Sequence, residues 1–104
     1  MSRATVVHID LPAISDNIAT LRTRLADQKF MAVVKADAYG HGAVRVAQHI
    51  ESEVDAIAVA FTEEAVILRE AGISKPLLVL EGPHSASDLA LIGKLDLWPV
   101  VHCE

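Results

Sequence analysis

Apolar positions along this chain keep switching between two periods. Residues 4–9, ATVVHI, read as a short strand. From Asp10 onward Ile14, Ile18, Leu21 and Leu25 recur at helical spacing, with Asp10 as N-cap and Pro12 tolerated in the first turn. FMAVV at 30–34 is a continuous apolar run of strand length. A second helical stretch follows the Gly40–Gly42 loop, over about residues 43–51, with Val44, Ala47 and Ile50 on one face. AIAVAF at 56–61 reads as the next strand. TEEAVILREAG then predicts a helix capped by Thr62, with Glu63 and Glu64 in its first turn and Gly72 ending it. PLLVL at 76–80 is a strand, SDLALIGKL at 87–95 a short helix, and LWPVVHC at 97–103 a last strand.

Strands with little polar alternation belong to parallel sheets covered by helices, and βαβα alternation with short connections gives an α/β fold with right-handed crossovers. Four parallel strands with two bare edges make a poor independent domain, and a closed α/β barrel typically needs about 250 residues. The expectation is the N-terminal part of a larger protein. An open four-stranded sheet, complete as a small domain, is the competing reading.

Composition narrows the function classes. The chain has 104 residues, 52% of them hydrophobic, which is enough for one core and too apolar for disorder. Nine basic against fourteen acidic residues give a net charge of −5, and no Lys/Arg cluster is present. That argues against binding nucleic acid or an anionic membrane surface. MSRATVVHID lacks the apolar core of a secretory signal, and no apolar run approaches spanning length. A single cysteine, Cys103, fits a reducing compartment, so a cytoplasmic location is expected.

The chemistry gathers where FMAVV ends. In parallel α/β folds functional groups collect at the C-terminal ends of strands, and Lys35 stands at one. Such a lysine can snorkel, laying its stem on the sheet and its ammonium in water. Held instead in an apolar pocket, it becomes a neutral amine able to form a Schiff base with an aldehyde. Gly40 and Gly42 let backbone approach a ligand before a helix N-terminus, where a phosphate could be received. The phenol of Tyr39 could bond that phosphate, orient Lys35, or simply cap the sheet. Spacing alone leaves these alternatives open.

VVKADAYGHG closely resembles the pyridoxal-phosphate attachment motif of alanine racemases. HIDLPAISDNIATLR is similar to that family's N-terminal segment, AVAFTEEAVILREAGISKPLLVLEG to its second and third barrel units, and DLWPVVHC to the strand that follows. The resemblance runs collinearly over nearly the whole chain. It implies the N-terminal part of a (β/α)8 TIM-type barrel, truncated before barrel closure, with a mostly β C-terminal domain to follow. Residues 1–10 would pair with that distant domain, and residues 11–104 would be the first βα units of the cofactor-binding barrel.

Carried over residue by residue, the resemblance makes Lys35 the Schiff-base lysine and one of two catalytic bases. Tyr39 would contact the cofactor phosphate or lie beside the lysine, and Val33 and Leu80 would pack near the cofactor. The implied cofactor is pyridoxal 5′-phosphate, the substrate alanine, the assembly a homodimer, and the product D-alanine for peptidoglycan. The second base, a tyrosine of the C-terminal domain, is not among these residues, so the chain supplies one base of two and would be inactive alone. A broader amino-acid racemase on the same barrel and a non-catalytic pyridoxal-phosphate-binding fragment are the alternatives.

Other candidates carry less. His8, His41, His49, His84 and His102 are widely spaced, with no H-x-x-x-H or C-x-x-C pattern, so no metal site is expected. His84 comes after a strand, at the rim where substrate chemistry would occur. Cys103 reads as a small buried hydrophobe, Glu63 and Glu64 as complement to a helix dipole, and Trp98 with Pro99 as packing at a strand start.

Overall fold

The computed structural model describes residues 10–24, 27–39 and 42–101. The strand expected at residues 4–9 lies outside them, as do His8, Leu25, Gly40, His41, His102 and Cys103. The first helix, α1 (Leu11–Arg24), starts as its sequence dictates, with the Asp10 carboxylate accepting the Ala13 N–H at 3.0 Å. It presents Ile18 to the core and leads to β1 (Met31–Val33). Lys35–Tyr39 then form α2, a five-residue turn of opposite hand, before the ordinary helix α3 (Ala43–Ile50) and one 3-10 turn.

The remainder alternates strictly. Strand β2 (Ala56–Val59), helix α4 (Thr62–Glu70), strand β3 (Leu77–Val79), helix α5 (Ala86–Lys94) and strand β4 (Trp98–Pro99) come in turn. All four strands are parallel in the order β1-β2-β3-β4, so each crossover moves one place along the sheet. The sheet is open, as a partial α/β barrel is. The last strand is shorter than its sequence suggests, since Val100 and Val101 lie beyond it.

Register explains the core. Ala32, Ile57 and Leu77 are level with one another, as are Val33, Ala58, Leu78 and Trp98. Side chains alternate between faces along a strand. Ile57, Val59, Leu77 and Val79 thus meet Ala47, Ile50, Ala65 and Leu68 of the helices, all of them buried. The opposite face is apolar too, yet Met31, Val33 and Trp98 stay 42%, 45% and 48% exposed. Trp98 therefore projects from the uncovered face instead of packing within the core.

Helix α4 begins one residue earlier than a Thr62 cap would have it. Phe61 occupies the N-cap position, and Thr62 is the first helical residue, fully buried. The reason is Glu64, whose carboxylate accepts the Phe61 N–H at 2.9 Å and performs the capping from inside the helix. The helix ends as expected. Gly72 takes φ +95°, its N–H reaches Arg69 O at 3.0 Å, and the Ile73 N–H reaches Leu68 O at 3.1 Å. Among the described residues no helix is long and apolar enough to cross a membrane.

Candidate functional site

The β1–β2 ladder runs cleanly as far as Val34, whose N–H donates to Ala58 O at 2.8 Å. A regular parallel ladder would continue with Ala60 N–H on Val34 O and Ala36 N–H on Ala60 O. Neither bond forms. Val34 O instead accepts the Ala38 N–H at 2.9 Å, and Ala60 O accepts the Glu81 N–H at 2.9 Å. Lys35 therefore stands where β1 leaves its neighbour.

Immediately after Lys35 the backbone turns the uncommon way. Ala36, Asp37 and Ala38 have φ of 52°, 56° and 56° with ψ near 45°, the left-handed helical region. Outside glycine that region costs roughly 1–2 kcal/mol per residue, so three in succession need strong anchors. One anchor is the Asp37 carboxylate, which accepts the Ala43 N–H at 2.8 Å, while the Gly42 N–H donates to Asp37 O at 2.9 Å. Gly42 itself sits at φ +86°, which suits glycine. A second anchor is Glu64, which accepts the Ala36 N–H at 2.8 Å and the Ala60 N–H at 3.0 Å.

The register, extended beyond β2 and β3, brings Ala60, Leu80 and Val100 level at the C-terminal ends of the strands, and Lys35 follows two residues after Val33, the last paired residue of β1. The β2–β3 ladder does continue this far, through Leu80 N–H on Val59 O at 2.8 Å. Two-residue alternation sets Val33 and Leu80 on the uncovered face of the sheet, at the end where Lys35 follows β1. Lys35 is half-buried, and the described residues give its ammonium no ion pair and no hydrogen bond.

The sequence-selected residues are only partly brought together. Lys35, Val33 and Leu80 lie at the same C-terminal end of the sheet. Tyr39 closes the left-handed turn, and the role expected of its phenol lies outside the described residues, as do Gly40 and His41. At the helix N-terminus after the loop, where the Gly-x-Gly spacing allowed a phosphate, the Asp37 carboxylate takes one donor, the Ala43 N–H. His84 reaches the same rim, with its ring 5.8 Å from that of Phe61 and its backbone N–H donating to the Asp88 carboxylate at 2.9 Å. No group of three or more His, Cys, Asp or Glu that could hold a metal occurs among the described residues.

Glu64 is the residue that reading the sequence missed. Its place in the first turn of α4 marks it as a capping carboxylate, and its bond to Phe61 is that local role. The bond to Ala36 spans 28 residues and leaves no periodic trace.

Comparison with known proteins agrees with this geometry. Residues 9–104 match the family model described as "Alanine racemase, N-terminal domain". An alanine racemase from Xylella fastidiosa is 57% identical over 93 residues, which is 89% of this chain and 25% of that protein. A catabolic alanine racemase from Pseudomonas putida is 56% identical over 94 residues, covering 90% of the chain and 26% of the relative. Among solved structures, alanine racemase from Acinetobacter baumannii superposes with a TM-score of 0.86 at 29% identity, over 92% of this chain and 27% of that one. The biosynthetic alanine racemase from Pseudomonas aeruginosa gives 0.75 at 43% identity, over 86% and 25%. The chain thus spans about a quarter of the length of the curated relatives it matches. On the strand-end lysine, the parallel βα order and these matches together, the chain belongs to the alanine racemase N-terminal domain family.

Proposed function

We propose that this chain supplies the lysine-bearing part of an alanine racemase, which interconverts L- and D-alanine with pyridoxal 5′-phosphate. The observation that carries this reading is the Lys35 amine, half-buried at the end of β1 with no ion pair or hydrogen bond among the described residues. An amine at a strand end, not engaged in an ion pair with the described residues, is open to an aldehyde, with which a lysine can form a Schiff base. The residues present therefore fit the aldehyde end of the cofactor. The phosphate end would rely on other donors than the Ala43 N–H, which Asp37 occupies.

When bound, the cofactor supplies a conjugated ring that accepts the electron pair left as the substrate Cα loses its proton. Lys35 acts on that proton. Its neutral amine removes the proton from one face of Cα in one direction of the reaction, and its ammonium delivers one to that face in the reverse direction. The opposite face needs its own proton carrier, the role the family resemblance implies for a tyrosine of a C-terminal β domain. Val33 and Leu80 would form an apolar wall beside the cofactor, and Tyr39 would contact its phosphate or lie against Lys35.

In the same reading residues 1–10 form a strand that pairs with the C-terminal β domain, while residues 11–104 are the first βα units of the barrel. The protein works as a cytoplasmic homodimer and provides D-alanine for peptidoglycan. Relatives named for catabolic and for biosynthetic roles both support the underlying reaction. Borohydride reduction with pyridoxal 5′-phosphate should add the pyridoxyl mass to the peptide that holds Lys35. Lys35→Ala should lose both that label and racemisation. Undiminished racemisation by Lys35→Ala would sink the assignment, and faster turnover of other amino acids than of alanine would favour a broader racemase.

A further inference from the structure

Glu64 binds three backbone N–H groups at once. One oxygen accepts Ala60 at 3.0 Å and Phe61 at 2.9 Å, and the other accepts Ala36 at 2.8 Å. Two of these donors, Ala60 and Ala36, are the ones that the next rungs of the β1–β2 ladder would have used. The carboxylate thus stands in for the missing rungs. It satisfies both strands where they part, and it reaches the first residue after Lys35 from the neighbouring βα unit.

We infer that Glu64 is a positioning residue for Lys35. By holding the Ala36 N–H it fixes where β1 ends, stabilises the left-handed start of α2, and so sets the place from which the lysine amine reacts. This inference rests on the racemase reading for the reaction, but the contact itself does not. Two features make the carboxylate hard to replace. It must accept on both oxygens, because each faces N–H donors. It must also bridge from α4 to the end of β1, which a shorter side chain cannot do while still capping Phe61.

Glu64→Gln turns one accepting oxygen into an NH2 group that faces a backbone donor. Glu64→Asp keeps the charge and removes one methylene. The test uses the protein as its gene encodes it, and reads the rate at which pyridoxal 5′-phosphate is reductively trapped on Lys35, by peptide mass, beside thermal unfolding. Both variants should trap at least about tenfold more slowly, since displacement of a reacting group by about 1 Å can cost on the order of a hundredfold. Racemisation should lose more in kcat than in KM. Glu51→Gln serves as the control, because Glu51 also gathers backbone N–H groups but holds Ser74 and Lys75, away from Lys35. It should lower the unfolding temperature and leave trapping at the parent rate.

Folded Glu64→Gln or Glu64→Asp that traps as fast as the parent would overturn the inference. If Glu64→Gln does not fold, Glu64→Asp decides alone. If Glu51→Gln slows trapping as much as the Glu64 variants, the effect is general loosening and the inference falls. A parent protein that takes no label at Lys35 would instead remove the racemase reading beneath it.

Discussion

Arg22 and Asp55 stand 3.0 Å apart, joining α1 to the segment that enters β2. The same carboxylate accepts the Phe30 N–H at 2.6 Å. That bond, with the nearby Arg22 charge adding to it, holds the Asp55 pKa below its ordinary 3.8. A carboxyl depressed in this way contributes its stability above the unfolded value and loses it as pH falls through the folded one. Stability should stay level down to about pH 5 and then fall below about pH 4. Urea midpoints measured across that range should show a shallower acid decline in Asp55→Asn than in the parent. An identical decline would mean that the pair does not link folding to pH.

A second staple lies behind β3. Glu51 accepts the Ser74 N–H at 2.6 Å, the Lys75 N–H at 3.1 Å and the Ser74 hydroxyl at 3.1 Å. The Ser74 bond foremost pulls its pKa below the ordinary 4.5. Glu51→Ala should cost up to about 1 kcal/mol at pH 7, through hydrogen bonds whose donors water can in part take over. The gap between variant and parent should narrow as pH drops below about 4, where the parent carboxylate also protonates. Denaturation at the two pH values checks this directly.

The left-handed turn offers a test of sign. Ala36, at φ 52°, pays a steric penalty that glycine does not. Ala36→Gly should be neutral or stabilise by up to about 1 kcal/mol, the gain being reduced by the freedom glycine adds to the unfolded chain. Ala36→Val should destabilise by more than about 1 kcal/mol, because branching at Cβ is worst tolerated there. Equal losses for both in chemical denaturation would contradict the conformation described.

Thr62 is 1% exposed, and its hydroxyl has no hydrogen-bond partner among the described residues. Burying an unsatisfied hydroxyl costs about 1–3 kcal/mol, and valine keeps the shape without the polar atom. Thr62→Val should therefore raise stability by about 1 kcal/mol. A loss measured by thermal or urea unfolding would indicate that the hydroxyl does find a partner.

Most elements were readable because their signals are local. Asp10 caps α1 and Gly72 ends α4 through bonds to residues within a turn, and the parallel order comes from apolar strands alternating with helices. The Lys35 motif was legible as a resemblance, and its strand-end position as geometry. Three things were not. Ala36-Asp37-Ala38 carries no glycine to announce a left-handed path, and alanine ordinarily signals the opposite hand. Thr62 has the better capping side chain, yet the carboxylate of Glu64 caps Phe61 and shifts the start of the helix. The reach of Glu64 to Ala36 depends on two βα units lying side by side, so it becomes visible only once the sheet is assembled.

The register has a consequence for anyone reshaping the surroundings of Lys35. From β2 to β4 the strands advance with a constant stride, so that positions 60, 80 and 100 arrive at one height at the end of the sheet where Lys35 lies. Lengthening a surface connection between these strands would leave that alignment in space untouched. Adding a single residue inside β2 or β3 would instead turn every later side chain of that strand to the other face, exchanging the residues of the uncovered face for residues shaped to meet helices.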